Sequence, residues 1–441
     1  MGKVPGASSG HPSSTGRSPR RLEGRPIMKI DAGNTAWVLV SAALVLFMTP
    51  GLAFFYGGMV RAKHVLGMLM QNFFAIGLIS VIWVLVGFSL AFGDGGGWIG
   101  NFDFVGLRHL ASTAKDIVPG YSGALALTVP PLAFAAYQMM FAVITPALIT
   151  GATADRLKFS GYAVFIGLWS VLVYSPVAHW VFSPTGWLFK KGALDFAGGA
   201  VVHINAGIAA LAVVLVIGKR KGWQKEPMPP HNLPFTLMGT GILWFGWFGF
   251  NAGSALAANG QAAQALINTH LAASAAMCTW LIAEKAKASH ATTLGAASGA
   301  VAGLVAITPC AGYVNTMSSL AIGALAGAVC FLALSLKTRF GFDDALDVIG
   351  VHLIGGILGS LLLGLFASKQ FGGLFAGGGA GLFGKQLLAT VVTIVYSGVV
   401  SYAIALGIHR TIGLRVTSDD ESEGLDLTQH SETAYSMSGR M

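Results

Sequence analysis

Asp195-Phe-Ala-Gly-Gly-Ala-Val-Val-His203 and Asp344-Ala-Leu-Asp-Val-Ile-Gly-Val-His352 are two versions of one pattern. Each is an aspartate, seven residues and a histidine, with Val before the His and an aliphatic residue after it. Two more echoes keep the same register. Ile144-Thr145-Pro146 answers Ile307-Thr308-Pro309, and Phe54-Phe55-Tyr56-Gly57-Gly58 answers Trp247-Phe248-Gly249-Phe250-Asn251-Ala252-Gly253. A chain repeated in this way is built of two halves. The number of crossings between echoes decides how the halves are related.

Those crossings pass through lipid. Hydrophobic residues make up 54% of the 441, charged residues 10%, and the mean hydropathy is +0.68. A soluble domain carries roughly 25% charged residues, so most of this surface must face a bilayer. A ~30 Å hydrocarbon core needs ~20 apolar residues per helix. Segments 35–58, 66–92, 124–151, 159–182, 196–217, 233–252, 262–283, 291–308, 317–336, 345–367 and 386–409 meet that need, with 291–308 the shortest. The expected fold is an all-α membrane protein of eleven transmembrane helices. Each echo is separated by five spans, an odd number, so the two five-helix repeats, 35–217 and 233–367, lie inverted, with one extra C-terminal helix at 386–409. Inverted repeats with a site at their interface are a transporter architecture.

Residues 1–29 are rich in Ser, Gly, Pro and Arg and lack an apolar h-region. They are expected to form a disordered basic extension ahead of a membrane domain at 30–410, not a signal peptide. Met28-Lys29-Ile30 is a candidate natural start. The net charge of +9 reads through topology and not as a nucleic-acid footprint. One set of loops holds Arg61, Lys63, Arg156, Lys158, Lys219, Arg220, Lys221, Lys225, Lys285, Lys287, Lys337 and Arg339, and Arg410 begins the tail. The other set holds Arg108, Lys115, Lys190, Lys191, Lys369 and Lys385. The positive-inside rule puts the first set and the tail in the cytoplasm and the N-terminus outside.

Several polar residues then stand inside or beside the bilayer. At ~1.5 Å per helical residue, each His lies ~12 Å along its helix from its Asp. Inversion brings His203 and His352 to similar depth. Two readings stand: buried histidines bonded to backbone, or a relay in which imidazoles share one proton while staying largely neutral. Asp195 and Asp344 stand at helix starts, where a carboxylate caps free N–H groups. Asp195 is also open to a cation-supporting role. Asp155 with Arg156 reads as a surface or loop-tethering pair, and His179 and His270 as structural residues. Gly295, Gly299 and Gly303 read as a close-packing face. Cys278, Cys310 and Cys330 read as packing residues. A metalloenzyme would need three or more converging ligands, and only two histidines converge, so neither a metal nor a cofactor is expected.

From Asp31 to the tail the chain resembles the ammonium transporter family, the Amt/Mep/Rh superfamily, in its bacterial form. The matching stretches are Thr49-Pro-Gly-Leu-Ala-Phe-Phe-Tyr-Gly-Gly-Met-Val-Arg-Ala-Lys63, Asp195-Phe-Ala-Gly-Gly-Ala-Val-Val-His-Ile-Asn205, Gly246-Trp-Phe-Gly-Phe-Asn-Ala-Gly-Ser254 and Asp343-Asp-Ala-Leu-Asp-Val-Ile-Gly-Val-His352. Gly413-Leu-Arg-Val and Glu423-Gly-Leu-Asp in the tail match as well. The resemblance implies a homotrimer with one pore per subunit, lined by the twin histidines His203 and His352. It implies ammonium recruitment by Phe141, Phe182, Ser254 and Gln138, and a phenyl gate of Phe141 and Phe250. One position departs from the pattern. Where the family has His-Trp-x-Trp, this chain reads His179-Trp180-Val181-Phe182. Phe keeps a π face but a weaker one, and cation–π contacts contribute ~0.5–2 kcal/mol.

The chemistry expected of such a pore is not enzymatic. Bare ammonium entering an apolar interior costs several kcal/mol or more, whereas ammonia crosses easily once a proton is lost. Potassium has no proton to lose and is rejected. The proton either stays behind or is co-transferred. A gas channel would move no charge, and a sensor usually appends a signalling domain. The tail, 411–441, carries Asp419, Asp420, Glu421 and Glu423 and reads alone as a flexible, solvated end. The resemblance implies that it packs beneath a neighbouring subunit, and that a cytosolic PII signalling protein docks on that face.

Overall fold

The computed structural model describes residues 30–111, 118–122 and 125–435. The expected extension at 1–29 lies outside them. The described chain is helical throughout, with no strand beyond two isolated bridges. The long helices are α1 (Ala32–Met59), α2 (Ala62–Phe92), α3 (Pro131–Ile149), α4 (Phe159–Phe182, with a separate turn of helix at Trp187–Lys190), α5 (Gly199–Ile217), α6 (Leu233–Ala252), α7 (Gly260–Ala288), α8 (Thr293–Ile307), α9 (Thr316–Ala333), α10 (Ile349–Phe366) and α11 (Gly381–Thr411). Ten of these stretches are long and apolar enough to cross a membrane. α8, with 15 residues, is the exception and spans about 22 Å. Pro309 stands two residues past its end, whereas α3 continues past the matching Pro146 to Ile149.

Three helices start three or more residues later than the sequence expectation. α3 begins at Pro131 and not near 124, because Pro130-Pro131 fixes the first turn. α5 begins at Gly199 and α10 at Ile349, after short unwound segments that follow Asp195 and Asp344. The ~12 Å helical rise from Asp to His therefore does not apply: each His lies in the opening turns of its helix.

Lipid leaves backbone and buried polar groups without water, so helices must satisfy one another. α1 and α6, the first helices of the two halves, lie together, with Trp37 Nε1 donating to Ala252 O at 3.2 Å. Asn268 on α7 donates to Ala311 O and Val314 O, both at 2.8 Å. Trp169 Nε1 on α4 donates to Ser401 Oγ on α11 at 2.9 Å. Gly299 and Gly303 face α7 at contact distance, as the four-residue repeat predicts. Val81, Leu85, Val395 and Val399 are exposed along α2 and α11, as lipid-facing residues would be.

One face carries a compact charge cluster. Asp155 and Arg156 are both buried, which corrects the surface reading, and they do not pair with each other. Asp155 binds Arg61 Nε at 3.0 Å and lies 3.6 Å from Arg220. Arg156 donates to Gly218 O at 2.9 Å and Asp343 O at 2.6 Å. Arg220 grips Asp343 through Nε at 2.9 Å and Nη2 at 2.8 Å. Burial raises the Asp343 carboxyl, but hydrogen bonding and charge from Arg220, with Arg156, outweigh it and hold it below the ordinary carboxylate value.

The tail is folded, which corrects its reading as a solvated end. Leu157 and Arg415 form a bridge, and two short helices follow, α12 (Ser418–Glu423) and α13 (Leu425–His430). Thr417 and Asp420 form a capping box on α12. Glu421 accepts from Arg415 at 2.7 Å and from Lys221 N at 2.6 Å. Asp426 accepts from Gly67 N at the start of α2 at 2.8 Å, and His64 Nδ1 accepts from Leu425 N at 3.2 Å. The tail thus lies on the loops of its own chain.

Candidate pore and vestibule

The two aspartates build the turns that aim the histidines. Asp195 takes four helix-start N–H groups: Gly198 and Gly199 at 2.8 and 2.7 Å on Oδ1, Ala200 and Val201 at 2.8 and 3.2 Å on Oδ2. Both oxygens are thereby committed to backbone. Asp344 takes two, from Val348 at 3.1 Å and Ile349 at 2.7 Å. Three residues after each Asp the backbone turns left-handed, at Gly198 (φ 126) and Asp347 (φ 63). Each helix then opens with a π turn, Gly199–Ile204 and Ile349–Leu353, containing the His. Such turns widen the helix and re-aim side chains at functional sites.

Four residues after each His stands a glycine, Gly207 and Gly356, and there the two helices touch. A Cβ on Gly207 would meet Leu353 N at 2.6 Å, and one on Gly356 would meet Ile204 N and His203 Cβ, both at 3.1 Å. This close crossing sets His203 Nδ1 3.3 Å from His352 Nδ1. The rings stack with centroids 5.4 Å apart at 21°, and both residues are buried. Between two Nδ1 atoms one must donate and the other accept, so a neutral pair holds one proton there. His203 Nε2 is buried with no hydrogen-bond partner among the described residues. It is free to exchange hydrogen bonds with a guest. Around the pair lies a narrow cavity bounded by Leu52, Ile144, Leu148, Trp247 and Phe250, apolar apart from the imidazoles.

A wider vestibule lies beyond, lined by Gln138, Phe141, Phe182, Asp195 and Ser254, with Tyr121 and Phe196. Phe141 stands between the two spaces. Its ring lies 4.3 Å from Phe250 at 38° and 6.5 Å from Phe182 at 87°. Phe250 in turn lies 6.1 Å from the His203 ring. An aromatic file therefore leads from Phe182 through Phe141 and Phe250 to the histidines. The structure brings together every residue singled out in the sequence for the vestibule and the pore. His179 instead contacts Ala91 O and Gly96 O, and His270 lies against Trp244 and Phe248.

The family model for the Ammonium Transporter Family matches residues 36–435. The chain belongs to the ammonium transporter family. It is 49% identical over 437 residues to an ammonium transporter of Mycobacterium tuberculosis (strain ATCC 25618 / H37Rv), covering 93% of this chain and 92% of that one. It is 47% identical to an ammonium transporter of Bacillus subtilis (strain 168), covering 91% and 98%. The crystal structure of Saccharomyces cerevisiae Mep2 superposes with TM-score 0.83 at 34% identity, covering 94% and 93% of the two chains. A Sensor Amt Protein superposes at 0.82 with 30% identity, covering 90% and 98%. The chain is thus a multi-pass membrane protein of a transporter family, not an enzyme.

Three residues of the candidate site escaped the sequence reading. Trp247 stacks on His203 at 5.5 Å and 15°; it stood inside a quoted motif but carried no signal of its role. Gly207 and Gly356 repeat at a fixed distance after the histidines, a legible echo that sequence reading overlooked.

Proposed function

We propose that the protein takes up ammonium at the vestibule, strips one proton and conducts ammonia past His203 and His352, with the proton either returned or co-transferred. The observation that carries this reading is the Nδ1–Nδ1 contact of 3.3 Å inside an apolar cavity. A hydrogen-bonding pair that stays neutral suits a guest that donates and accepts, and it offers a bare cation little. In the vestibule, Phe141, Phe182, Ser254 and Gln138 replace part of the hydration of ammonium, and the Phe141–Phe250 pair gates the way down. Asp195 acts here as a cap, since four N–H groups occupy its oxygens, and Asp344 supports the opposite turn. Uptake of labelled ammonium into proteoliposomes tests the reading: His352→Ala should lose normal transport and admit potassium, and full, selective uptake would reject it.

The assembly we infer is a homotrimer in the cell membrane, inner in a two-membrane host, with the N-terminus outside and the charge cluster and tail in the cytoplasm. The concentration of Arg61, Arg156, Arg220 and Arg415 at one face supports that orientation. The domain division is 1–29, 30–410 and 411–441, the last a regulatory tail. Its contacts with Lys221, His64 and Gly67 make it a brace for the loops below the pore, and a surface on which a cytosolic PII protein can dock. Deleting the chain after Arg410 should lower or deregulate transport without dispersing the trimer, and unchanged regulation would reject the brace. PII should co-purify under nitrogen-replete conditions, and its absence there would reject that partner.

A further inference from the structure

A hydroxyl network behind the vestibule is not used by the reading above. Tyr137 on α3 is fully buried, one residue before Gln138 and one turn before Phe141. Its hydroxyl lies 2.9 Å from Gly249 O, 2.9 Å from Phe250 O and 3.1 Å from Ser254 Oγ. Ser254 Oγ lies 2.8 Å from Phe250 O. The Tyr137 ring meets Phe141 edge-on at 5.0 Å. One side chain therefore touches both partners of the aromatic gate and the serine beside it.

Counting protons gives the serine its polarity. Two hydroxyls carry two protons, and the carbonyls of Gly249 and Phe250 only accept. Ser254 donates to Phe250 O, its own carbonyl four residues back, or to Tyr137. Tyr137 donates to a carbonyl or to Ser254. In each arrangement the Ser254 proton is spent inside the network, and a lone pair of Oγ remains. Toward the vestibule Ser254 is an acceptor, the polarity that suits an N–H cation.

We propose that Tyr137 is a positioning residue for cation recruitment: its hydroxyl fixes the Phe250–Ser254 turn so that Ser254 meets the incoming cation as an acceptor. Tyr137 lies behind Phe141 and Ser254 and not in the vestibule wall, so it acts through them. This rests on the recruitment reading of Ser254. Phe at position 137 would keep the ring and the Phe141 contact and remove one oxygen.

The test is a double-mutant cycle on the concentration dependence of ammonium uptake by the full chain in proteoliposomes at fixed pH. Tyr137→Phe should raise half-saturation about 3- to 10-fold, the loss of one hydrogen bond, and leave maximal uptake within about two-fold. In a Ser254→Ala background the same change should add nothing further. Ser254→Thr, which keeps the hydroxyl, should stay near the parent value and separates hydroxyl loss from disturbed packing. An equal rise in the Ser254→Ala background, or a fall in maximal uptake with half-saturation unchanged, overturns the inference and leaves the recruitment reading standing. Parent-like half-saturation in Ser254→Ala alone removes the recruitment reading and this inference with it.

Discussion

The first-half turn at His203 and the second-half turn at His352 share one backbone but hold it with different side chains. Asp195 gathers four N–H groups and relies on Gly198 for the left-handed residue. Asp344 gathers two, and the left-handed position is filled by Asp347, whose carboxylate binds Lys337 at 2.6 Å. The first turn is held by its own cap and by one outside bond, Phe196 N to Pro309 O at 3.1 Å. The second leans on a neighbouring loop. Symmetry here is a property of the path of the chain toward the histidines, and residue identity follows it only where the chemistry leaves no substitute.

The glycine crossing should expose the asymmetry most. Gly207→Ala drives a Cβ into backbone at 2.6 Å, whereas at Gly356 the nearest atoms stand 3.0 to 3.1 Å away. Gly207→Ala should cost about 2–3 kcal/mol and depress transport, and Gly356→Ala should cost roughly 1 kcal/mol. Thermal unfolding of the purified protein measures both, and equal losses would contradict the contact geometry.

Left-handed positions come next. Gly198→Ala places a side chain at φ 126 and against Val202, and should destabilise by roughly 1–3 kcal/mol. Asp347→Gly relieves strain of about 1 kcal/mol but gives up a half-exposed ion pair contributing ~0–1 kcal/mol. It should therefore be close to neutral. The same melting assay decides, and a severe loss from Asp347→Gly would show that the Lys337 tether holds the second turn.

These residues also explain what was legible. The Asp-x7-His echo was readable because the same two residue types recur at the same spacing in both halves. Its geometry was not, because sequence periodicity assumes a regular helix, and here three residues unwind and a π turn follows. The third-position echo hid behind Gly198 and Asp347, which share a φ sign but no side-chain chemistry. The fold was read from spans of about 20 apolar residues, and α8 strained that rule by closing after 15 residues. The tail misled for another reason. Its acidic composition looked solvated, and its partners, Lys221, His64 and Gly67, lie 200 residues or more away in sequence.

Two further effects compare cap with cap and test the vestibule. Asp195→Asn weakens four bonds and should cost more than Asp344→Asn, about 2 against about 1 kcal/mol, read from unfolding midpoints. The reverse order would mean that the Asp195 cap is not what holds its turn. Phe182→Trp strengthens the π face beside Phe141 and should tighten half-saturation a few-fold, as a cation–π gain of about 0.5–1 kcal/mol implies, with maximal uptake unchanged. An unchanged or weaker apparent affinity would mean that Phe182 does not meet the cation.

The most direct measurement of the two-histidine account is the current evoked by ammonium and by potassium in proteoliposomes, compared between the parent chain and His203→Ala. With co-transfer of the proton, the parent should give an ammonium current and none with potassium. His203→Ala should lose the normal ammonium response and pass potassium. A parent that transports ammonium without current would leave the pore in place and assign the proton to the outside. An unchanged ammonium response in His203→Ala, with potassium still excluded, would contradict the account.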